Sequence, residues 1–143
     1  MLYIALKGTY QAKLGTFTQK TSSGTQAYAG VGFAPEALLL WSTSRVVSGT
    51  VTVDPKLSLG VALSPSNRRA AAVAEDNNDP SITDSHASET KCLVHLTAGT
   101  PTVDAEADLS SFDADGFTLD WTTADAVARE SRGIGRASCR ERV

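Results

Sequence analysis

Cysteine, proline and aromatic residues are all scarce in this 143-residue chain, which has two Cys, five Pro and 6% aromatics. So few cysteines exclude the disulfide framework that holds many small secreted domains together. No apolar run approaches the roughly 18 residues of a membrane span. The opening segment, Met1-Leu-Tyr-Ile-Ala-Leu-Lys-Gly8, lacks the charged n-region and the apolar length of a signal peptide. Basic residues are not in excess either: 13 Lys and Arg against 16 Asp and Glu give a net charge of −3. No positive stripe is available to neutralise phosphates or to hold an anionic bilayer. The expectation is a soluble chain whose partners are neither nucleic acid nor membrane.

The last ten residues, Ile134-Gly-Arg-Ala-Ser-Cys-Arg-Glu-Arg-Val143, resemble the conceptual translation of a common short-read sequencing adapter (ATC GGA AGA GCG TCG TGT AGG GAA AGA GTG). On that reading the native chain stops near residue 133, its C-terminus is missing, and residues 134–143 are set aside before fold reasoning. The tail carries three Arg and one Glu, so without it the net charge moves from −3 to −5. Cys139 leaves with it, and Cys92 becomes the sole native cysteine, without a bridging partner. In the apolar run Thr90-Lys-Cys-Leu-Val-His-Leu96 a lone Cys behaves as a small buried hydrophobe. One Cys and two His fall short of a zinc set, so His95 reads as a hydrogen-bonded strand histidine.

What the chain does have is 31 Ser and Thr, 11 Gly, and short apolar runs that alternate. Phe117, Leu119 and Trp121 share one strand face, with Thr118 and Asp120 on the other; Val103–Leu109 likewise sets Asp104, Glu106 and Asp108 apart from its apolar positions. Between them, Phe112-Asp-Ala-Asp-Gly-Phe117 reads as a hairpin turn closed by Gly116. The parity set by Leu109 leaves Phe112 on the wrong side, so either a bulge near Ser110-Ser111 or a five-residue loop must reconcile the strands. Further strand candidates are 15–20, 25–31, 36–42, 57–63, 69–75 and 89–97, punctuated by Gly and Pro. Residues 124–130 form a weak helix candidate or a connection. Six to nine short strands at this spacing give an all-β fold, an antiparallel β-sandwich that is jelly-roll-like.

Three segments together resemble a family of phage- and prophage-associated β-sandwich proteins: Val31-Gly-Phe-Ala-Pro-Glu-Ala-Leu-Leu-Leu-Trp-Ser-Thr43, Asn67-Arg-Arg69, and Ser111-Phe-Asp-Ala-Asp-Gly-Phe-Thr-Leu-Asp-Trp-Thr-Thr-Ala-Asp125. The resemblance covers most of residues 12–130 and brings no catalytic residues. It implies a structural or accessory role around a virion, often in the tail region. It also implies a last strand resembling Tyr-Leu-Ala-Leu-Gly soon after Arg129, a place taken here by the adapter-like tail. Leu2-Tyr-Ile-Ala-Leu-Lys-Gly8 has that same character. Residues 1–8 then read as the last strand of a preceding tandem copy, 9–133 as one sandwich domain, and residues 2–7 as a substitute for the missing strand.

The best polar site candidate is the stretch from Asp76 to His86, expected as a surface loop at one end of the sandwich. Asp76, Asn77, Asn78, Asp79, Asp84 and His86 can converge there to hold Ca²⁺ or to hydrogen-bond a sugar, although a plain polar loop is the commoner outcome. His86 and Asp84 beside Ser81 or Ser85 offer a nucleophile, but triad geometry demands rigid hydrogen bonds that so local a cluster does not supply. The Asp104, Glu106, Asp108 ladder diverges along its strand, which suits a solvated face better than a cation cage. Asp113-Ala-Asp-Gly116 resembles only the first fragment of a calcium loop. Small residues at 70, 71, 72 and 74 permit close sheet packing, and Arg68 or Arg69 can meet a carboxylate near Asp76 or across the sheet. Trp41 and Trp121 are expected in the core.

The function expected is therefore a non-enzymatic structural or interaction domain of a phage tail- or virion-associated protein, meeting other virion proteins or itself, with no cofactor. The alternative is a lectin-like carbohydrate-binding module that reads surface glycans with calcium assistance; a hydrolase fragment has no supporting motif. An exposed Trp beside residues 76–86 would favour sugar binding, and shallow pockets with flat, partly apolar faces would favour assembly.

Overall fold

The computed structural model describes residues 10–44, 54–77, 80, 82–97 and 102–138. They form ten strands: β1 (Tyr10–Thr18), β2 (Gly24–Ala29), β3 (Ala37–Ser42), β4 (Lys56–Ser64), β5 (Asn67–Asp76), β6 (Ile82–Ser88), β7 (Leu93–Leu96), β8 (Val103–Asp113), β9 (Gly116–Thr123) and β10 (Glu130–Ser138). One sheet runs β1-β10-β3-β4-β5-β6 and the other β2-β9-β8-β7, antiparallel throughout. The two pack face to face, giving the expected all-β antiparallel sandwich. Connectivity is two meanders, β3 to β6 and β7 to β9, with β1, β2 and β10 placed beside them.

The β8–β9 hairpin shows how local sequence sets the register. Ala114 and Asp115 make a two-residue turn, and the ladder slips between Leu109 and Ser111. That bulge realigns Phe112 with Phe117, so of the two ways to reconcile the strands the chain uses the bulge. Gly116 is needed for space: a Cβ there would lie 2.0 Å from the Tyr28 carbonyl oxygen. The Asp115 carboxylate accepts from the Gly30 and Gly32 N–H groups, tying the turn to the end of β2.

Two core clusters lie on either side of β7, whose four residues are all buried. Leu93 joins Leu38, Leu40, Leu109, Leu119 and Trp121. Val94 and Leu96 face Ala70, Ala72 and Ala74 instead. β4, β5 and β6 all pack against β7, so the six-stranded sheet wraps the edge of its partner. The small residues of β4 and β5 make this possible, because every inward position from Ser58 to Ala74 on these two strands apart from Arg68 is Ser, Gly or Ala.

Several expectations change. The irregular stretch 76–86 is mostly strand: Asp76 ends β5 and pairs with Ile82, which opens β6. β1 begins at Tyr10 rather than at residue 15, and the run 89–97 contributes only the four residues of β7. Residues 124–130 are a connection leading into β10, not a helix. After Arg129, residues 130–138 lie between β1 and β3, with Ile134 paired to both Leu14 and Leu39. The first five residues of the adapter-like segment are thus part of the sheet, with Gly135 buried on the inward side and Ile134 and Arg136 half-buried on the other. Residues 2–7, proposed to fill that slot, lie outside the described residues. No described helix is long and apolar enough to cross a membrane.

Candidate functional site

The inward crowding of small residues leaves the large ones of β4 pointing out. In Leu57-Ser-Leu-Gly-Val-Ala-Leu63 the odd positions face solvent, with Leu59 45% and Leu63 52% exposed. Register extends this into rows across the sheet. One row is Leu14, Ile134, Leu39, Val61; the next is Arg132, Trp41, Leu59, Ala71, Ala87; a third pairs Leu57 with Val73. Trp41 is half-buried within this face, not in the core as expected. Trp121, by contrast, is fully buried, its Nε1–H donating to Tyr28 Oη at 3.1 Å. A shallow depression of about 430 Å³ lies among Leu39, Leu59, Val61, Arg69, Ala71 and Ala87. Contiguous apolar faces are uncommon on the outside of a sandwich, which makes this one the candidate site. Its sequence signal was the Leu57–Leu63 alternation, whose strand was expected but whose outward face was not.

Of the polar candidate, the described residues Asp76, Asn77, Asp84 and His86 lie on or next to the paired strands β5 and β6. Asp84 and His86 share the inward side of β6, opposite Ala74 and Ala72. Asp84 is buried and its Oδ2 has no hydrogen-bond partner among the described residues, while His86 is half-buried. Asp76 lies on that same side at the end of β5, and exposed Asn77 donates its N–H to Asp54 Oδ1 at 3.1 Å. Asn78, Asp79 and Ser81 lie outside the described residues. Ser85 faces outward, away from its sequence neighbours Asp84 and His86, so these three make no nucleophile relay. Among the described residues no group of three or more His, Cys, Asp and Glu is placed to hold a metal ion.

The acidic ladder of β8 is half-buried and ion-paired rather than solvated. Lys91 Nζ lies 3.4 Å from Glu106 and 3.3 Å from Asp108, and Arg68 Nε lies 3.2 Å from Asp108. Arg68 also donates to the Thr90 carbonyl oxygen. Asp104 meets Lys56 at 3.9 Å and Arg129 at 3.7 Å. These cations come from β4 and β5, from the approach to β7 and from the connection into β10, so the chain fold creates the pairs. Asp113 accepts from Ser111 and Thr118 hydroxyls, both at 2.7 Å, which commits its carboxylate to the hairpin.

Inside, His95 Nδ1 lies 2.9 Å from Gln19 Oε1, whereas Nε2 is buried without a partner among the described residues. Burial, then the nearby Arg129 charge, pushes its pKa from 6.5 down to about 4, which keeps the ring neutral. Burial likewise pushes the Cys92 thiol up to about 12, so no thiolate nucleophile forms there. A smaller cleft of about 140 Å³ opens between β1, β10 and β2, lined by Phe17, Tyr28 and Phe117 over Gly15, Gly133 and Gly135.

In comparisons with known proteins, no family model, no curated protein and no solved structure matches this chain.

Proposed function

We propose that this chain is a non-enzymatic structural or interaction domain whose working surface is the outer face of the six-stranded sheet. The observation that carries the reading is the set of apolar rows around half-buried Trp41 and exposed Leu59 and Val61, with a shallow floor between them. Flat apolar surface of that shape suits a protein partner, because burying it releases water at roughly 25 cal/mol per Å². The resemblance of residues 31–43, 67–69 and 111–125 to phage-associated sandwiches supports a virion or tail setting, with other virion proteins or further copies as partners. The glycan alternative is less well supported: Trp121 is sealed in the core, Trp41 on β3 is separated from β6 by β4 and β5, and Asp84 points inward.

Trp41 is a built-in reporter, since Trp121 is already sealed in the core. Covering the outer face lowers iodide quenching of Trp41 fluorescence when the chain is titrated against itself or against purified virion proteins. Leu59→Lys abolishes that protection. Unchanged quenching in every titration, together with protection by a simple sugar, would sink the assembly reading in favour of the lectin.

A further inference from the structure

The long edge of the six-stranded sheet is β1. Among the described residues it pairs only with β10, so one row of backbone N–H and C=O groups is left without a strand. Natural sheets blunt such edges with short strands, prolines, bulges or charges, Lys above all. β1 has one such device, Lys13 on its inward side; otherwise it runs nine residues in unbroken register, without proline or a second charge. Residues 11–16 are all exposed, Leu14 to 61%.

We propose that β1 is a self-association edge, pairing antiparallel with β1 of a second copy about a two-fold axis through Leu14. The two six-stranded sheets then become one continuous sheet. The argument for a second copy, rather than another strand, is self-complementarity. With Leu14 on the axis, Lys13 stands opposite the partner's Gly15, and Gly15 opposite the partner's Lys13. The position where a Gly15 Cβ would project has no atom within 4 Å, so each glycine is an open notch. That notch borders the aromatic cleft of Phe17, Tyr28 and Phe117. Each Lys13 stem lies across the other copy's notch, with its ammonium free to approach the ring faces. The only ionic group on the edge therefore meets a glycine instead of its own like charge. On the opposite face Leu14 meets the partner's Leu14, and the row Leu14, Ile134, Leu39, Val61 continues across the axis. A nine-residue pairing spans about 30 Å, and a two-fold contact of this kind is closed, so it stops at the dimer.

The inference goes beyond the outer-face reading and is separable from it, because edge pairing leaves Trp41 and Leu59 uncovered. Sedimentation velocity of the full chain under reducing conditions, which rules out thiol links through Cys139, is the test. The wild type is expected to show a concentration-dependent dimer. Leu14→Lys, which sets two like charges on the axis, and Gly15→Val, which fills the notch, each weaken it about tenfold or more. In a Cys139→Ser background, Leu14→Cys cross-links the dimer on oxidation, whereas Ile82→Cys on the other edge does not. The proposal is overturned by a chain that stays monomeric into the millimolar range. It is equally overturned by a dimer that Leu59→Lys disrupts and Leu14→Lys spares, or by equal cross-linking through residues 14 and 82. Should Leu14→Lys fail to fold, Gly15→Val and the paired cysteine variants decide.

Discussion

Gly60 of β4 lies beneath the backbone carbonyl of Cys92: a Cβ built on it would stand 1.8 Å from that oxygen and 2.7 Å from its carbon. This contact sets how closely the six-stranded sheet approaches the chain entering β7. It also fixes which face of β4 is inside, since only the face bearing Ser58, Gly60 and Ala62 is low enough to fit.

Gly60→Ala is accordingly expected to destabilise by about 1–3 kcal/mol or more, as overpacking against a backbone that cannot turn aside. Gly135→Ala is the control. Its Cβ would meet Pro35 and Val31 at an ordinary 3.5 Å, and a less flexible unfolded chain adds roughly 0.4–1 kcal/mol of stability. Urea unfolding of the two variants should move in opposite directions.

Leucines in alternating strands should likewise divide by face. Leu40 is fully buried, and Leu40→Ala is expected to cost about 2–5 kcal/mol. Leu59→Lys, at a 45% exposed position, should change stability by no more than about 0.5 kcal/mol while reducing binding of an apolar dye. A large stability loss from Leu59→Lys would show that the outer face is structural.

His95 makes the fold acid-sensitive. Above pH 6.5 the ring is neutral whether folded or unfolded. As pH falls below 6.5 the unfolded ring takes up a proton that the folded ring does not accept until about pH 4. Stability therefore declines between those values and levels off below them, with a total of about 3 kcal/mol. Carboxylates titrate in the lower part of that window, so the measurement is a difference: His95→Gln should lose the component between pH 6.5 and 5.

The ion pairs behind β8 should matter unequally. Arg68 caps the Thr90 carbonyl as well as pairing with Asp108, so Arg68→Ala is expected to cost about 1–3 kcal/mol. The neighbouring Arg69 also donates to the Arg68 and Glu89 carbonyls, but these bonds and its 4.0 Å pair with Glu89 are exposed to water, so Arg69→Ala should cost no more than about 0.5 kcal/mol. Thermal unfolding in low and high salt separates the two, because screening removes part of the Asp108 pairing and nothing measurable from Glu89.

Much of this fold is written in local pattern. Alternation around Phe117 and Trp121 defines β9, the Asp-Ala-Asp-Gly turn defines the hairpin, and the parity conflict at Phe112 calls for the bulge found at Ser110. Composition was enough to argue against disulfides, zinc and a basic binding surface, and the apolar setting of Cys92 was enough to expect it buried.

What alternation does not carry is direction. A period of two says that Leu57, Leu59, Val61 and Leu63 share a face, but the usual inference that the larger side chains face the core fails here. The choice was made by β7, which needs Gly60 and the alanines of β5 beneath it, so the leucines are displaced outward and become the candidate site. Pairing likewise decided that Asp84 turns inward while Ser85 turns out, and that residues 130–138 complete the sheet between β1 and β3. Such contacts join residues far apart in the chain, and they exist only once the two sheets have met.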